Sequence, residues 1–413
     1  MAVIVAFLFS HKGQPSWDGV WYLAIAQGRY HAVEYYYARR ILHPLIARLL
    51  THLFTLTWSD AFYSLACVSL VLYLAAVEIY VLSASEVAFA LLTLPLLITP
   101  ALLAAFRDIY CHYLFFSALL AAFFLALRFN PWMSLPLLLL LNLTRESALI
   151  LDIAIVFVAA GRGAYRFAGA AGLVGAIGLT VAARWIPVPL GNSHHMSALI
   201  FYPLKVLYDI SQNVFGLVFW TNTIGALLRS CAPRYVLHLP RWPHLLGTVS
   251  EIGLCRFDPR IPLLNALGLA TVFGATPAVL GWAAVRRRID TARIDSAVAL
   301  AYGLAAFVLS LLIGTDVSRY AADAFPAFWL VGLIALYQTT KGRPRLAARL
   351  AVLSFGVSWL PIVLSKGPVG NYEPLPGASL ARMLIALALT AALYRLALKW
   401  LEDGSRTAIR ESR

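Results

Sequence analysis

The chain has 413 residues, of which 61% are hydrophobic and 13% charged, and its mean hydropathy is +0.78. Soluble domains run at roughly 45–50% apolar and 25% charged, so a soluble enzyme, a nucleic-acid-binding domain and a secreted disulfide scaffold are all excluded. The net charge of +14, from 33 Lys and Arg against 19 Asp and Glu, belongs in loops and helix ends beside anionic lipid, and it points to phosphates rather than nucleic acid as partners.

Apolar runs of about 20 residues, enough to cross a bilayer core of about 30 Å, recur from end to end. In chain order they are Asp60 to Leu82, Glu86 to Phe106, Asp108 to Arg128, Phe167 to Trp185, Pro262 to Val285, Ile294 to Gly314, Tyr320 to Tyr337, Leu346 to Ser365 and Leu380 to Trp400. All are expected to be helices. The predicted fold is an all-α polytopic bundle of about 11–13 helices, with short broken helices and an amphipathic first external loop. Met1 to Ser10 is about half a span and lacks both a basic leader and a small-residue cleavage site, which predicts a start upstream of Met1.

Two segments break the pattern. Pro131 to Gly161 is apolar but interrupted by Thr144, Arg145 and Glu146; charge at membrane depth is costly, so two short helices meeting at a wet, polar break are expected. Val206 to Leu228 carries Asp209, Gln212, Asn213 and Asn222, which suits a cavity-lining or interfacial helix. The chain therefore divides into a module at 1–186 with its first external loop at 11–59, an external region at 187–261, and C-terminal helices with a tail at 262–413.

The basic runs Arg286-Arg287-Arg288 with Arg293, and Lys341-Gly342-Arg343-Pro344-Arg345 with Arg349, mark the cytoplasmic side. Counting back from them leaves the segments around 11–59, 107, 187–261, 315–319 and 366–377 outside. All nine histidines lie in or next to those outside segments. Longer loops explain part of this; chemistry on that face explains it equally well. Of the four cysteines, Cys67 reads as core packing, whereas Cys231 and Cys255 share one hydrophilic segment and are able to pair in an oxidising compartment.

The first external loop is the densest constellation. Asp18 sits between Trp17 and Gly19, in a context that either presents a carboxylate to a cleft or caps the following helix. Tyr35-Tyr36-Tyr37, Arg39-Arg40, His43 and Pro44 follow, combining interfacial aromatics with phosphate-capable cations. Asp108 and His112, four apart, would share a helical face and orient a base, complete a metal site or simply hydrogen-bond each other. Glu146 reads as a local counter-charge to Arg145, and Asp316 as a partner for Arg319 ahead of Tyr320.

The succession WDGVWYLAIAQGRY, YYYARRILHPLIARLL, FRDIY and LTRESALIL resembles the bacterial polytopic glycosyltransferases of the GT-C superfamily, over roughly the first 160 residues and in pattern and spacing. The resemblance implies a mannosyltransferase-like enzyme of the bacterial plasma membrane, building cell-envelope glycans. It would use a polyprenyl-phosphate sugar donor, a glycan, lipid or protein acceptor, and an extracytoplasmic active face. It further implies Asp18 as catalytic base or metal ligand and Asp108 as a second acid. Family members often pair two acids in the first loop, whereas Gly19 follows Asp18 here, so a Mg2+ or Mn2+ site built on Asp18, Asp108 and His112 stays open. Independently of the resemblance, glycosyl transfer needs a carboxylate to take a proton and fixed cations to hold the departing phosphate. Arg39, Arg40, His43, Arg107, Arg145, Lys205 and Arg319 are the candidates for the second role. Two competing readings are a transporter or flippase of lipid-linked precursors, and a non-catalytic subunit of a membrane assembly. The first would show internal repeats and midplane charges, and no clear repeat is present.

Overall fold

The computed structural model describes residues 15, 17–33, 37–91, 99–184, 198–221, 235–238, 251–286, 289, 291–313, 317, 321–365 and 379–411. Of the described residues 80% are helical, and among them five helices are long and apolar enough to cross a membrane, which marks an integral membrane protein. Met1 to Ser10, His194, His195, Cys231, Asp316, Arg319 and Tyr320 lie outside the described residues, as does the side chain of Lys205.

The first external loop folds as two helices, α1 (Trp17–Ala26) and α2 (Leu42–Phe54). α2 turns His43, Pro44 and Ala47 inward and leaves Leu49, Leu53 and Phe54 exposed, as an amphipathic helix lying along a membrane surface does. Thr55 in the left-handed region (φ 52°) ends it, and Thr57 starts α3 (Trp58–Leu82) by accepting the Asp60 N–H at 3.2 Å. α4 (Pro100–Arg107) begins in the same way, with Thr99 accepting from Leu102 N–H and Pro100 at the first helical position. α5 (Tyr113–Phe129) then packs along α3. It starts five residues later than the sequence suggests: Asp108 to His112 form turns, so the helical face shared by Asp108 and His112 does not exist.

The interrupted segment is a helical hairpin, α6 (Ser134–Thr144) and α7 (Ala148–Ala160), broken at Arg145 to Ser147 as expected. At about 1.5 Å per residue its arms reach only about 17–20 Å, short of a bilayer core of about 30 Å. α8 (Tyr165–Arg184) packs closely on both arms through glycines: a Cβ at Gly178 would stand 2.7 Å from Asn142 Cβ, and one at Gly175 would stand 2.6 Å from the Asp152 carboxyl carbon. Asn142 donates to Asp152 at 3.1 Å, joining the arms.

α9 (Ala198–Phe215) buries Asp209 and Asn213; Asn213 donates to the Leu311 carbonyl at 3.3 Å, and Asn265 donates to the Asn213 carbonyl at 3.2 Å. The segment from Val206 is not one helix. Gly216, at φ 68°, turns the chain into β1 (Leu217–Thr221), which pairs antiparallel with β3 (Glu251–Phe257), itself flanked by β2 (Tyr235–His238). This three-stranded sheet, order β1-β3-β2, is an addition to the all-α expectation. β1 lies in an apolar stretch too short to tell from helix by periodicity, and β2 and β3 lie in the more hydrophilic segment beyond it. Cys255 on β3 is disulfide-bonded, whereas Cys67 and Cys111 are free thiols.

The expected span Pro262 to Val285 is two helices, α10 (Arg260–Phe273) and α11 (Thr276–Val285), bent by 79°. Gly274 makes the bend at φ 52° and ψ −137°, and neighbours meet the backbone groups it frees: Ser354 Oγ accepts from Ala275 N–H at 3.0 Å and Tyr394 donates to the Gly274 carbonyl at 2.6 Å. The remaining helices are α12 (Ile294–Ile313), α13 (Phe325–Thr340), α14 (Pro344–Ser365) and α15 (Leu380–Glu411). α13 is shifted towards the C-terminus of the expected Tyr320 to Tyr337, with Pro326 in its first turn.

One end of the bundle is clamped by Asp295 at the start of α12. Tyr80 and Arg128 each donate to its carboxylate at 3.0 Å and Arg293 donates at 3.1 Å, which ties together the ends of α3, α5 and α12.

Gly274→Ala should lower the thermal midpoint by several degrees. The added Cβ meets Ser354 Oγ at 2.7 Å and the backbone there is strained for any L-residue, a cost of about 1–3 kcal/mol. Gly281→Ala in α11 meets nothing within 4 Å and should leave the midpoint unchanged or raised, as scanning calorimetry in detergent would read.

Candidate active site

Asp18 stands in the first turn of α1, buried at 9% exposure. Two phenols grip its carboxylate: Tyr37 donates to Oδ1 at 2.7 Å and Tyr113, at the start of α5, donates to Oδ2 at 3.0 Å. Burial, reinforced by the Asp18 charge, raises the Tyr37 phenol above its ordinary value, so it remains a proton donor. Asp18 is therefore fixed from two sides by elements far apart in sequence. A helix cap alone requires neither phenol.

Arg40 forms the next layer. Its Nε donates to Glu146 Oε2 at 2.8 Å, its Nη2 donates to Glu146 Oε1, and its Nη1 donates to Tyr22 Oη at 3.1 Å. Its guanidinium also lies 5.2 Å from the Tyr37 ring centroid. Burial weighs most heavily against the charge of Arg40, but the charge and hydrogen bonds of the facing Glu146 carboxylate together with the Tyr22 and Tyr113 phenols outweigh it and hold the pKa well above the usual arginine value. The hairpin break thus docks onto the first loop by a two-point fork.

Arg145, 2% exposed, pairs elsewhere. Its Nη1 donates to Asp323 Oδ1 at 2.7 Å, and its guanidinium lies 5.2 Å from the Tyr113 ring centroid. The expected local pair of Arg145 with Glu146 is therefore corrected: each takes a long-range partner, Asp323 and Arg40 respectively. Three carboxylates (Asp18, Glu146, Asp323) and two guanidiniums (Arg40, Arg145) form one connected network with Tyr37 and Tyr113. Glu146, at the hairpin tip, is exposed.

The remaining sequence candidates divide. Arg39 and Arg107 are exposed, Arg39 beside Arg40 in the chain and Arg107 six residues before Tyr113. Asp108, half-buried, ends α4, and its carbonyl accepts from Cys111 N–H at 2.9 Å. His112 is fully buried, with its ring 5.1 Å from Tyr22 and 4.7 Å from Tyr113. His43 sits between Phe62 and Phe115, with Nδ1 unpartnered among the described residues. Burial drives its pKa down to about 3, so at neutral pH it is an uncharged packing group and not the phosphate-binding cation expected from sequence. Among the described residues no three His, Cys, Asp or Glu side chains gather as metal ligands, so Asp18, Asp108 and His112 do not come together in that way. Lys205 lies on α9, and Arg319 lies outside the described residues.

Sequence reasoning missed Tyr113 and Asp323. Tyr113 follows the singled-out His112, and Asp323 lies four residues beyond Arg319; an acid at the head of an apolar helix was the available signal. Comparison with protein-family models, with curated proteins and with solved structures finds no match.

Removing one charge of the Arg145–Asp323 pair leaves the other buried alone, at a cost of about 3–5 kcal/mol. Arg145→Met should therefore lower the midpoint markedly, and Arg145→Met/Asp323→Leu should recover much of the loss. A double variant no more stable than Arg145→Met would show that the pair is not the reason for the loss.

Proposed function

We propose that the protein is an integral-membrane glycosyltransferase of GT-C plan, moving a sugar from a polyprenyl-phosphate donor to an acceptor hydroxyl at the end of the bundle that holds Asp18. The observation that carries this reading is the buried Asp18 carboxylate, gripped by Tyr37 and Tyr113 and backed by Arg40 and Arg145. That arrangement pre-orients an acid in a loop that the residues quoted above liken to the catalytic loop of the superfamily. In the proposed reaction the Asp18 carboxylate takes the acceptor hydroxyl proton while the acceptor oxygen bonds to the anomeric carbon. The bond from that carbon to the phosphate oxygen breaks, and polyprenyl phosphate leaves with the electron pair. Arg39 and Arg107, exposed near the network in sequence, meet the departing phosphate, while Arg40 and Arg145 act as positioning residues.

Two observations favour an extracytoplasmic position for this face. The basic residues Arg286 and Arg293 lie at the Asp295 end of the bundle, where the positive-inside rule places the cytoplasm. Cys255 is disulfide-bonded in a sheet that follows α9, and α9 touches α12 at Leu311, far from Asp295; disulfides persist in oxidising compartments. A cysteine placed at exposed Ala32 should react with an impermeant maleimide on intact cells, and one at exposed Lys341 should react only after lysis. The reverse pattern would overturn the sidedness.

Asp18→Asn should lower transfer by about 10²–10⁴-fold, the usual worth of a positioned proton acceptor. The amide is isosteric and Tyr37 and Tyr113 can rotate their hydroxyls to accept from it, so expression and thermal midpoint should stay near wild type. Were Asp18 only a cap, Asn would serve equally and activity would survive. Full activity in Asp18→Asn would remove this loop as the catalytic one.

A further inference from the structure

At the far end of the bundle from Asp18, the first turns of α14 and the later turns of α15 enclose a cleft of about 430 Å3 lined by Arg343, Leu346, Arg349, Leu396, Lys399, Trp400 and Asp403. Three cations face one carboxylate there, so the lining carries surplus positive charge. Arg349 and Lys399 are exposed, and the Arg349 guanidinium lies 6.0 Å from the Trp400 ring centroid. Half-buried Leu346 and Leu396 add an apolar wall.

Each part answers a feature of one ligand class. Arginine forks match the geometry of a phosphate, and Lys399 adds a point charge. The indole of Trp400 suits the depth of lipid headgroups, where tryptophan concentrates at the membrane boundary. Leu396, one turn further into α15 than Lys399 and Trp400, leads from the charged mouth along the apolar part of that helix, as an acyl chain would, and Leu346 lies between Arg343 and Arg349 at the start of α14. A small soluble anion would use the arginines but gain nothing from that wall. We propose that the cleft binds the phosphate of an anionic phospholipid headgroup in the leaflet at this end, pinning α15 against α14. The site lies apart from the Asp18 network and does not depend on the glycosyltransferase reading.

The test is a thermal-shift titration of the full chain in neutral detergent with phosphatidylglycerol, phosphatidylcholine and inorganic phosphate. The expected result is a saturable rise in midpoint with phosphatidylglycerol and none with phosphatidylcholine. Arg349→Gln/Lys399→Gln should lose more than half of that rise. Lys341→Gln/Arg345→Gln, which removes equal charge just outside the lining, should keep it. An equal rise in wild type and the cleft variant would overturn the site, and an equal rise with inorganic phosphate would overturn the lipid as its source. Should the double variant fail to fold, Lys399→Gln at its exposed position carries the test by native mass spectrometry. Fewer retained phosphatidylglycerol molecules than in wild type are expected, and the same number would overturn the proposal.

Discussion

Arg145 cannot stand alone where it is. A guanidinium buried among apolar helices is tolerated only when its charge and donors are met by protein, and Asp323 meets its charge from a position 178 residues further along the chain. That requirement organises the Asp18 end of the molecule. The hairpin tip must lie against the turn before α13; Glu146, next in the chain, then reaches Arg40, and Tyr113 lies between Arg145 and Asp18. Partners 95, 106 and 178 residues apart are joined, so the geometry around Asp18 is a property of the whole fold.

The clamp on Asp295 does the complementary work at the other end. It fixes α3, α5 and α12 relative to one another, while the helices between the two polar ends meet mostly through apolar side chains and closely apposed glycines. Helix packing within a bilayer gains little from the hydrophobic effect, because lipid is as apolar as the helix faces. Polar clamps and tight glycine contacts therefore carry more of the specificity than they would in a soluble bundle. The hairpin arms are shorter than a bilayer is thick. Around the hairpin break Arg40 and Arg145 are buried while Glu146 stays exposed.

Hydropathy made the long helices legible, and the charged interruption at Arg145 announced the hairpin, because both follow directly from the cost of polar groups in lipid. The same logic did not reveal the bend at Gly274. An apolar run says that a segment is buried in lipid or protein, but the backbone direction there is set by Ser354 and Tyr394 on distant helices. The sheet was hidden for a different reason: β1 and β3 pair across about 30 intervening residues, and strand pairing leaves little periodic trace over four to seven residues. Asp18 stood out by its aromatic context. Its two phenol partners did not, since Tyr37 is one of three successive tyrosines and Tyr113 is chosen only by tertiary contact. Sequence proximity paired Arg145 with Glu146; the folded chain prefers partners that hold separate elements together.

The central claim is that the buried Asp18 network serves glycosyl transfer from a lipid phosphate. Its most direct measurement is turnover by the purified protein in liposomes supplied with polyprenyl-phosphate sugar and acceptor extract, followed by release of free polyprenyl phosphate. The account predicts release that requires acceptor and the protein's Asp18 end facing the donor. Movement of intact lipid-linked sugar between leaflets without any cleavage of the sugar–phosphate bond would contradict it.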